Sequence, residues 1–147
     1  MNPQPLNIVM IEDDLGHARL IEKNIRRAGI SNAIQHFTDG TSALHYLYED
    51  AGGPVKNGPA LILLDLNLPD MSGIDMLSRL KAEDSALRRT PIVVLTTTDE
   101  KLEVQRCYDL GCNVYIAKPV NYESFADAIR QLGLFLSVIQ LPDPTEI

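Results

Sequence analysis

Short runs of aliphatic residues alternate along this chain with longer segments in which apolar side chains recur every three or four positions. The runs are typical of strands buried on both faces, and they cover residues 6–11, 33–37 (the weakest), 61–64, 91–95 and 114–117. The periodic segments predict amphipathic helices over residues 15–28, 41–49, 73–82, 99–110 and 121–139. Residues 51–59 are rich in glycine and proline, which predicts a loop.

The residues at the ends of these helices predict how two of them are capped. The first helix has one apolar stripe, made of Ala18, Ile21, Ile25 and Ala28. Gly29 follows it and is suited to a C-cap. The fourth helix is expected to open with a capping box from Thr97 to Glu100.

Five alternating strand and helix units imply a parallel sheet with helices on both faces, the doubly wound α/β architecture. The chain has 147 residues, which is the size of one domain with its own core. In such a sheet the carboxyl ends of the strands meet along one edge, and ligands bind there. The residues that follow the strands are therefore the candidates for chemistry.

Polar residues follow four of the five predicted strands and should converge on that edge. They are Glu12, Asp13 and Asp14 after the first strand, Asp65 after the third, Thr96 to Thr98 after the fourth and Lys118 after the fifth. Buried carboxylates are costly unless they are paired, so this acidic group implies a cation. Oxygen ligands without histidine or cysteine suit Mg²⁺, which acts on phosphates.

The same residues have the chemistry of phosphoryl transfer. With their charge balanced by Mg²⁺ and Lys118, Asp65 could attack a phosphoryl group and become an acyl phosphate. Thr96 can donate a hydrogen bond to one phosphoryl oxygen, and Lys118 can pair with another.

Glu12-Asp13, Asp65, Thr96 and Lys118-Pro119, in this order and at strand ends, resemble the receiver domain of two-component response regulators. The resemblance implies the flavodoxin-like receiver fold, a five-stranded parallel sheet in the order 2-1-3-4-5. We expect a single receiver domain over residues 1–147, with a core at about 6–139 and a tail at 140–147, and no output domain, because only one helix and a short tail follow Lys118-Pro119. The loop before residue 61, the paired threonines and the apolar C-terminal extension are most similar to small regulators that partner bacterial phytochromes.

The resemblance implies a metal site and a phosphorylation site. Asp13 would bind Mg²⁺ directly, Glu12 would bind it through water, and Asn67 would contribute its backbone carbonyl. Asp65 would be a metal ligand and also the phosphoacceptor.

Three further positions would respond to the phosphoryl group. Lys118 would contact it, Thr96 would be the switch hydroxyl, and Tyr115 would be the switch aromatic. Thr97 departs from the commonest pattern, in which a small alanine or glycine stands at this position.

The partners implied are a sensor histidine kinase and a second copy of the chain. By resemblance the kinase would dock on the first helix, at Gly16, His17 and Leu20. The last helix carries a second apolar strip, Leu134, Val138 and Leu141, opposite its core stripe. This strip predicts a homodimer through the fourth helix, the fifth strand and the fifth helix.

Several of these residues also have a simpler structural explanation. Asp14 is more plausible as the N-cap of the first helix than as a third site carboxylate. Tyr115 could simply pack in the core, and His17, His36 and His45 are expected to be structural or exposed.

A signalling switch is favoured over a turnover enzyme. The alternative is a small Mg²⁺-dependent phosphatase or phosphotransferase with Asp65 as nucleophile. Hydrolases resembling the haloacid dehalogenase family carry a second Asp two residues after the first, where this chain has Asn67. A receiver that only scaffolds is disfavoured because every acidic and basic site residue is present.

Charge and composition narrow the location and the partners. A net charge of −7 argues against nonspecific nucleic-acid binding. No apolar run approaches the length of a membrane helix, and the N-terminus lacks the pattern of a signal peptide. We expect a cytoplasmic protein in which Cys107 and Cys112 are buried, reduced thiols.

Overall fold

The computed structural model describes residues 7–58, 60–97 and 100–118, together with positions 121, 123 and 127. The strands are β1 (Asn7–Ile11), β2 (Ile34–Phe37), β3 (Ala60–Asp65), β4 (Ile92–Thr96) and β5 (Val114–Ala117). The named helices are α1 (Leu15–Arg27), α2 (Gly40–Tyr48), α3 (Pro54–Asn57), α4 (Gly73–Leu80) and α5 (Lys101–Leu110). Glu123 and Asp127 are helical and exposed, and the predicted dimer strip at Leu134, Val138 and Leu141 lies outside the described residues.

The five strands form one parallel sheet in the order β2-β1-β3-β4-β5, as predicted. Every residue of β3, the central strand, is buried, and so is every residue of β4. Since successive side chains point to opposite faces, such strands need a core on each side of the sheet.

Two hydrophobic clusters supply those cores. On one face, Ala18, Ile21 and Ile25 of α1 pack with alternate strand residues such as Met10 and Leu63. On the other face, side chains of α2, α4 and α5 pack with the intervening strand residues; they include Ala43, Leu47, Met76, Leu77, Leu80 and Cys107. The doubly wound architecture is therefore confirmed.

The predicted loop at 51–59 contains a short helix, α3, so that prediction is wrong for four residues. Pro54 occupies the first turn, where its missing N–H costs nothing and its fixed φ suits a helix. Gly58 ends the turn at φ 124°, a conformation that favours glycine. Because α3 is inserted, the helix predicted as the fourth is α5 here.

The cap predictions had different outcomes. Ala28 is the C-cap of α1, and Gly29 lies one residue later at φ +86°, in the left-handed region typical of the position after a C-cap. The capping box predicted from Thr97 to Glu100 is wrong. Helix α5 begins at Lys101 with Glu100 as its N-cap, and Glu100 makes no side-chain capping hydrogen bond.

Both cysteines are free and buried, as expected. Burial is the main cause that raises the pKa of the Cys112 thiol to about 12 and that of Cys107 above its ordinary value. Neither thiol is therefore poised to react. Within the described part of the chain, no helix has both the length and the apolar character needed to cross a bilayer.

Candidate functional site

The site forms where β1 and β3 end side by side. Ile11 pairs with Leu64, so Glu12 and Asp65 are the next residues on two adjacent strands. The backbone of Glu12 is held from the other side by β2, because its N–H donates to the carbonyl of Phe37 at 2.9 Å. His36 Nε2 also lies 2.8 Å from the Glu12 carbonyl oxygen. The parallel register thus fixes both carboxylates at one edge of the sheet.

Glu12, Asp13 and Asp65 form a compact acidic cluster. One carboxylate oxygen from each lies within 4.8 Å of the others. Glu12 is fully buried and Asp65 is 2% exposed, whereas Asp13 faces solvent. Burial raises the pKa of Glu12 to about 7; the Lys118 ammonium opposes this rise and the neighbouring Asp65 carboxylate adds to it. A charged cluster this crowded favours a bound cation.

Lys118 is the ammonium that the cluster already holds. Its side chain is 4% exposed, and its Nζ lies 2.6 Å from Glu12 Oε1 and 3.3 Å from Asp65 Oδ2. The Lys118 backbone N–H donates to the carbonyl of Thr96 at 2.7 Å, which ties the end of β5 to the end of β4. Lys118 therefore reaches the carboxylates at the ends of β1 and β3 from the end of β5, two strands away from β3.

One oxygen of Glu12 is incompletely satisfied despite this ion pair. Among the described residues, Glu12 Oε1 is buried and the Lys118 ammonium at 2.6 Å is the one group that pairs with it. A single ammonium also leaves the three carboxylates with excess negative charge when all are ionised. The donor set therefore fits a divalent cation with a preference for oxygen, and Mg²⁺ has that preference.

The loop between β3 and α4 holds Asp65 from the other side. The Asn67 N–H donates to Asp65 Oδ1 at 3.0 Å. Gly73 begins α4 directly against this loop, and its N–H donates to the Leu66 carbonyl. A Cβ at position 73 would lie 2.3 Å from Leu66 Cα and 2.8 Å from the Asp65 carbonyl oxygen. Only glycine fits this close approach without a shift of the backbone that carries Asp65.

Asp70 anchors the same loop to α2. Its carboxylate accepts hydrogen bonds from the backbone N–H groups of Gly40 and Thr41, both at 2.8 Å, and from the Thr41 hydroxyl. These bonds, with that of the Thr41 hydroxyl the largest, lower the pKa of Asp70 to about 2. The loop beside Asp65 is thus fixed at both ends.

A cavity of about 750 Å³ opens beside the acidic cluster. Asp13, Asn67 and Asp70 line it, together with Glu103 of α5. The cavity gives a small anion or a cation access to the cluster from the solvent side. Asn67 lines this cavity, and its role as a carbonyl ligand stays a prediction.

The predicted switch residues lie close to one another on β4 and β5. Thr96 is 1% exposed and ends β4, one residue beyond the Leu95 that pairs with Asp65. Tyr115 is half-buried against the core on the side of α5, and its backbone N–H donates to the Tyr108 hydroxyl at 3.2 Å. The packing interpretation of Tyr115 is therefore met, and its role as a switch remains a prediction.

Asp14 is the N-cap of α1, as expected, and not a member of the acidic cluster. Its carboxylate accepts a hydrogen bond from the His17 N–H at 2.9 Å, and this bond is the main cause that lowers the Asp14 pKa. His17 Nδ1 lies 3.1 Å from Lys118 Nζ, so His17 reaches the site. The sequence placed His17 on the docking face of the first helix, but it did not predict the contact of His17 with Lys118 or that of His36 with Glu12, because no spacing or motif connects these residues.

The match to known proteins agrees with this geometry. Residues 8–130 match the model of the response regulator receiver domain. The chain belongs to that family. Receiver domains are phosphorylation-dependent signalling switches, and this chain is one of them. Sensor histidine kinases phosphorylate receiver domains, which bind Mg²⁺ at an acidic site.

Three relatives of this receiver domain are informative. A response regulator receiver domain from Rhodospirillum rubrum is 66% identical, with 93% of this chain and 97% of that one covered, at a TM-score of 0.72. The bacteriophytochrome response regulator RtBRR is 34% identical, with 96% and 86% covered, at a TM-score of 0.77. Response regulator Rcp1 of Synechocystis is 32% identical over 96% of this chain and 95% of its own length. The Mn²⁺-bound structure of Rcp1 matches at a TM-score of 0.73, with 95% and 100% covered.

Proposed function

We propose that Asp65 is the residue of this receiver domain that accepts the phosphoryl group. The observation that carries the proposal is that Asp65 is almost fully buried, yet forms an ion pair with Lys118 and lies beside the carboxylates of Glu12 and Asp13. A buried carboxylate in this setting is held in one orientation and is shielded from bulk water. Both properties favour its use as a nucleophile.

Mg²⁺ is the cation we propose for this site, with Asp13, Asp65 and the Asn67 carbonyl as its direct ligands and Glu12 binding it through water. The compact carboxylate cluster supports this assignment, and the related Rcp1 has been seen with Mn²⁺. When bound, Mg²⁺ supplies charge neutralisation for an incoming phosphoryl group. The exposed carboxylate of Asp13 gives the cation an entry from solvent.

The protein groups then have distinct tasks in the transfer. A carboxylate oxygen of Asp65 forms a bond to phosphorus while the bond between phosphorus and the phosphohistidine nitrogen breaks, and the electron pair leaves with that nitrogen. Lys118 pairs with a phosphoryl oxygen, and the Thr96 hydroxyl donates to another. Movement of Thr96 would be felt at Tyr115, since Thr96 pairs with Ala117 and Val94 pairs with Tyr115 in the same ladder.

Labelling with a small acyl phosphate tests the assignment of Asp65. The wild-type protein is expected to gain one phosphoryl group in the presence of Mg²⁺, and mass spectrometry should locate it on Asp65. Asp65→Asn should abolish labelling and remain folded. Asp84→Asn, the same change at an exposed position, is the matched control and should label normally. Normal labelling of Asp65→Asn, or labelling that survives a chelator, would refute the proposal.

The kinase partner we propose is a bacterial phytochrome or a related sensor histidine kinase in the cytoplasm. The similarity to RtBRR and Rcp1 over nearly the whole chain supports this choice. The output would be contact with another protein or onward phosphotransfer. Transfer from a purified phytochrome kinase should be much faster than from an unrelated histidine kinase, and equal rates would refute this part.

We also propose that the protein forms a homodimer through α5, β5 and the last helix. Leu102 and Tyr108 of α5 are 87% and 43% exposed, and they provide apolar area on the described part of this surface. Leu134, Val138 and Leu141 would complete it. Light scattering at micromolar concentration should show a dimer that the double change Leu134→Glu and Val138→Glu disrupts. A monomer in both phosphorylation states, or a dimer that survives the double change, would contradict the proposal.

We do not assign a turnover reaction to the site. Asn67 lies where a hydrolase using Asp65 as nucleophile would need a second acid, and its N–H instead donates to Asp65. The expected behaviour is a single phosphorylation followed by slow loss of the phosphoryl group. Steady turnover of a small phosphate ester by the wild-type protein, absent in Asp65→Asn, would reverse this conclusion.

A further inference from the structure

The ammonium of Lys118 has a histidine neighbour in addition to its two carboxylates. Its Nζ lies 3.1 Å from His17 Nδ1, compared with 2.6 Å from Glu12 Oε1 and 3.3 Å from Asp65 Oδ2. An ammonium can only donate hydrogen bonds, and it carries three N–H groups. His17 Nδ1 must therefore accept, which places the ring proton on Nε2.

The distances favour this neutral arrangement over an imidazolium paired with acids. Nδ1 lies 3.9 Å from both Glu12 Oε2 and Asp14 Oδ2, farther than it lies from Lys118 Nζ. A protonated ring would place two like charges 3.1 Å apart while its carboxylate contacts remained long. The hydrogen bond to Lys118 therefore fixes the tautomer of His17.

The first turn of α1 holds the ring in this position. Asp14 caps the helix and accepts from the His17 N–H, so the backbone of His17 is fixed relative to the end of β1. The His17 side chain is 40% exposed, whereas Lys118 is 4% exposed and Glu12 is fully buried. His17 therefore covers the ammonium on its solvent side.

We propose that His17 is a positioning residue for Lys118, a neutral acceptor that keeps the ammonium beside Asp65 during phosphoryl transfer. This inference rests on the proposed role of Asp65. Glu12 and Asp65 are required both by the ammonium and by the proposed metal site. His17 Nδ1 gives the ammonium a third acceptor that adds no negative charge. Without it, the four-carbon stem of Lys118 has more freedom when the carboxylates are engaged elsewhere.

A matched pair of substitutions separates this role from packing. His17→Asn keeps an acceptor close to the position of Nδ1, and His17→Leu has a similar size with no acceptor. We expect His17→Leu to slow labelling of Asp65 by a small acyl phosphate by about tenfold, the loss typical of one hydrogen bond to a charged group. His17→Asn should stay within roughly threefold of the wild type. Equal slowing in both variants would overturn the proposal.

A second background shows whether His17 acts through Lys118. In a Lys118→Met protein, His17→Leu should cause no further slowing, because the group it positions is gone. The same tenfold loss on His17→Leu with Lys118 and with Lys118→Met would overturn the proposal. Normal labelling of His17→Leu when Lys118 is present would also overturn it. A small phosphodonor is used so that loss of kinase docking at α1 does not contribute.

A spectroscopic measurement is independent of phosphorylation. Nitrogen NMR of the imidazole should find the proton of His17 on Nε2 in the wild-type protein and a shift of the tautomer equilibrium in Lys118→Met. A protein that shows this signature but fails to label would refute the role of Asp65 and not the contact between His17 and Lys118. A wild-type ring with its proton on Nδ1 would refute the positioning role even if Asp65 labels normally.

Discussion

Replacing Glu12 by glutamine should stabilise the metal-free protein at alkaline pH and weaken its affinity for Mg²⁺. Glu12 is fully buried, and burial is the main reason that its pKa rises from an ordinary 4.5 to about 7. Because the folded-state pKa is the higher one, the contribution of Glu12 is complete below pH 4.5 and is lost as the pH rises through 7. Glutamine resembles the protonated acid in size and never ionises.

The size of the effect follows from the pKa shift. The rise from 4.5 to about 7, at about 1.4 kcal/mol per pKa unit, corresponds to about 3 kcal/mol at about pH 8. At about pH 5 most of the penalty is absent, and the expected difference is below about 1 kcal/mol. For a domain of this length, 3 kcal/mol corresponds to a rise of roughly 6–12 °C in the Tm.

Urea unfolding of the metal-free proteins at these two pH values measures the effect. Glu22→Gln, on the exposed face of α1, is the control for loss of one negative charge, and it should change stability by less than about 0.5 kcal/mol. Saturating Mg²⁺ should stabilise the wild type more than the Glu12→Gln variant, because the cation gains one more buried carboxylate there. A stabilisation that is equal at both pH values, or a destabilised Glu12→Gln, would refute the reasoning.

Three further substitutions test other parts of the site. Gly73→Ala should lower the free energy of unfolding by about 1–3 kcal/mol, because its Cβ would overlap the backbone of Leu66, and it should also weaken Mg²⁺ binding in a titration. An unchanged free energy of unfolding together with an unchanged Mg²⁺ affinity would contradict the close approach of position 73 to Leu66. Asp70→Asn should lower the urea midpoint at pH 7. The difference should shrink as the pH falls from 3.8 towards 2, because Thr41 and the adjacent backbone lower the pKa of Asp70 to about 2. A urea midpoint of Asp70→Asn equal to that of the wild type would contradict the role of Asp70 in holding the loop to α2. Leu20→Asp, at a 38% exposed position of α1, should slow phosphorylation by the kinase but not by a small phosphodonor, and an equal loss in both assays would indicate a damaged fold.

The sequence alone determined the architecture and the members of the acidic cluster. Runs such as 61–64 lack any polar alternation, so they could only be strands covered on both faces, and helices had to alternate with them. The register of parallel strands then places the residues after each run at one edge. For this reason Glu12, Asp13, Asp65 and Lys118 could be grouped before any contact was known.

The short sequence motifs that predict where helices begin and end were less decisive, because tertiary contacts also influence where a helix begins and ends. The turn residues at 51–59 correctly predict a break in the pattern, but Pro54 also suits a first helical turn, and α3 forms there. The spacing from Thr97 to Glu100 fits a capping box, but α5 begins only at Lys101. Such short motifs fix a helix end only when the tertiary structure leaves the chain free to adopt it.

Only the tertiary structure decided which distant side chains contact the residues of the site and of its adjacent loop. His17 and Lys118 are 101 residues apart, and His36 and Glu12 are 24 apart, so no period or motif relates them. Asp70 anchors its loop to an N–H group 29 residues earlier, at Thr41. Hydrophobic periodicity records which face of an element is buried, whereas these hydrogen bonds depend on where two distant segments meet, and that is set only when the sheet is assembled.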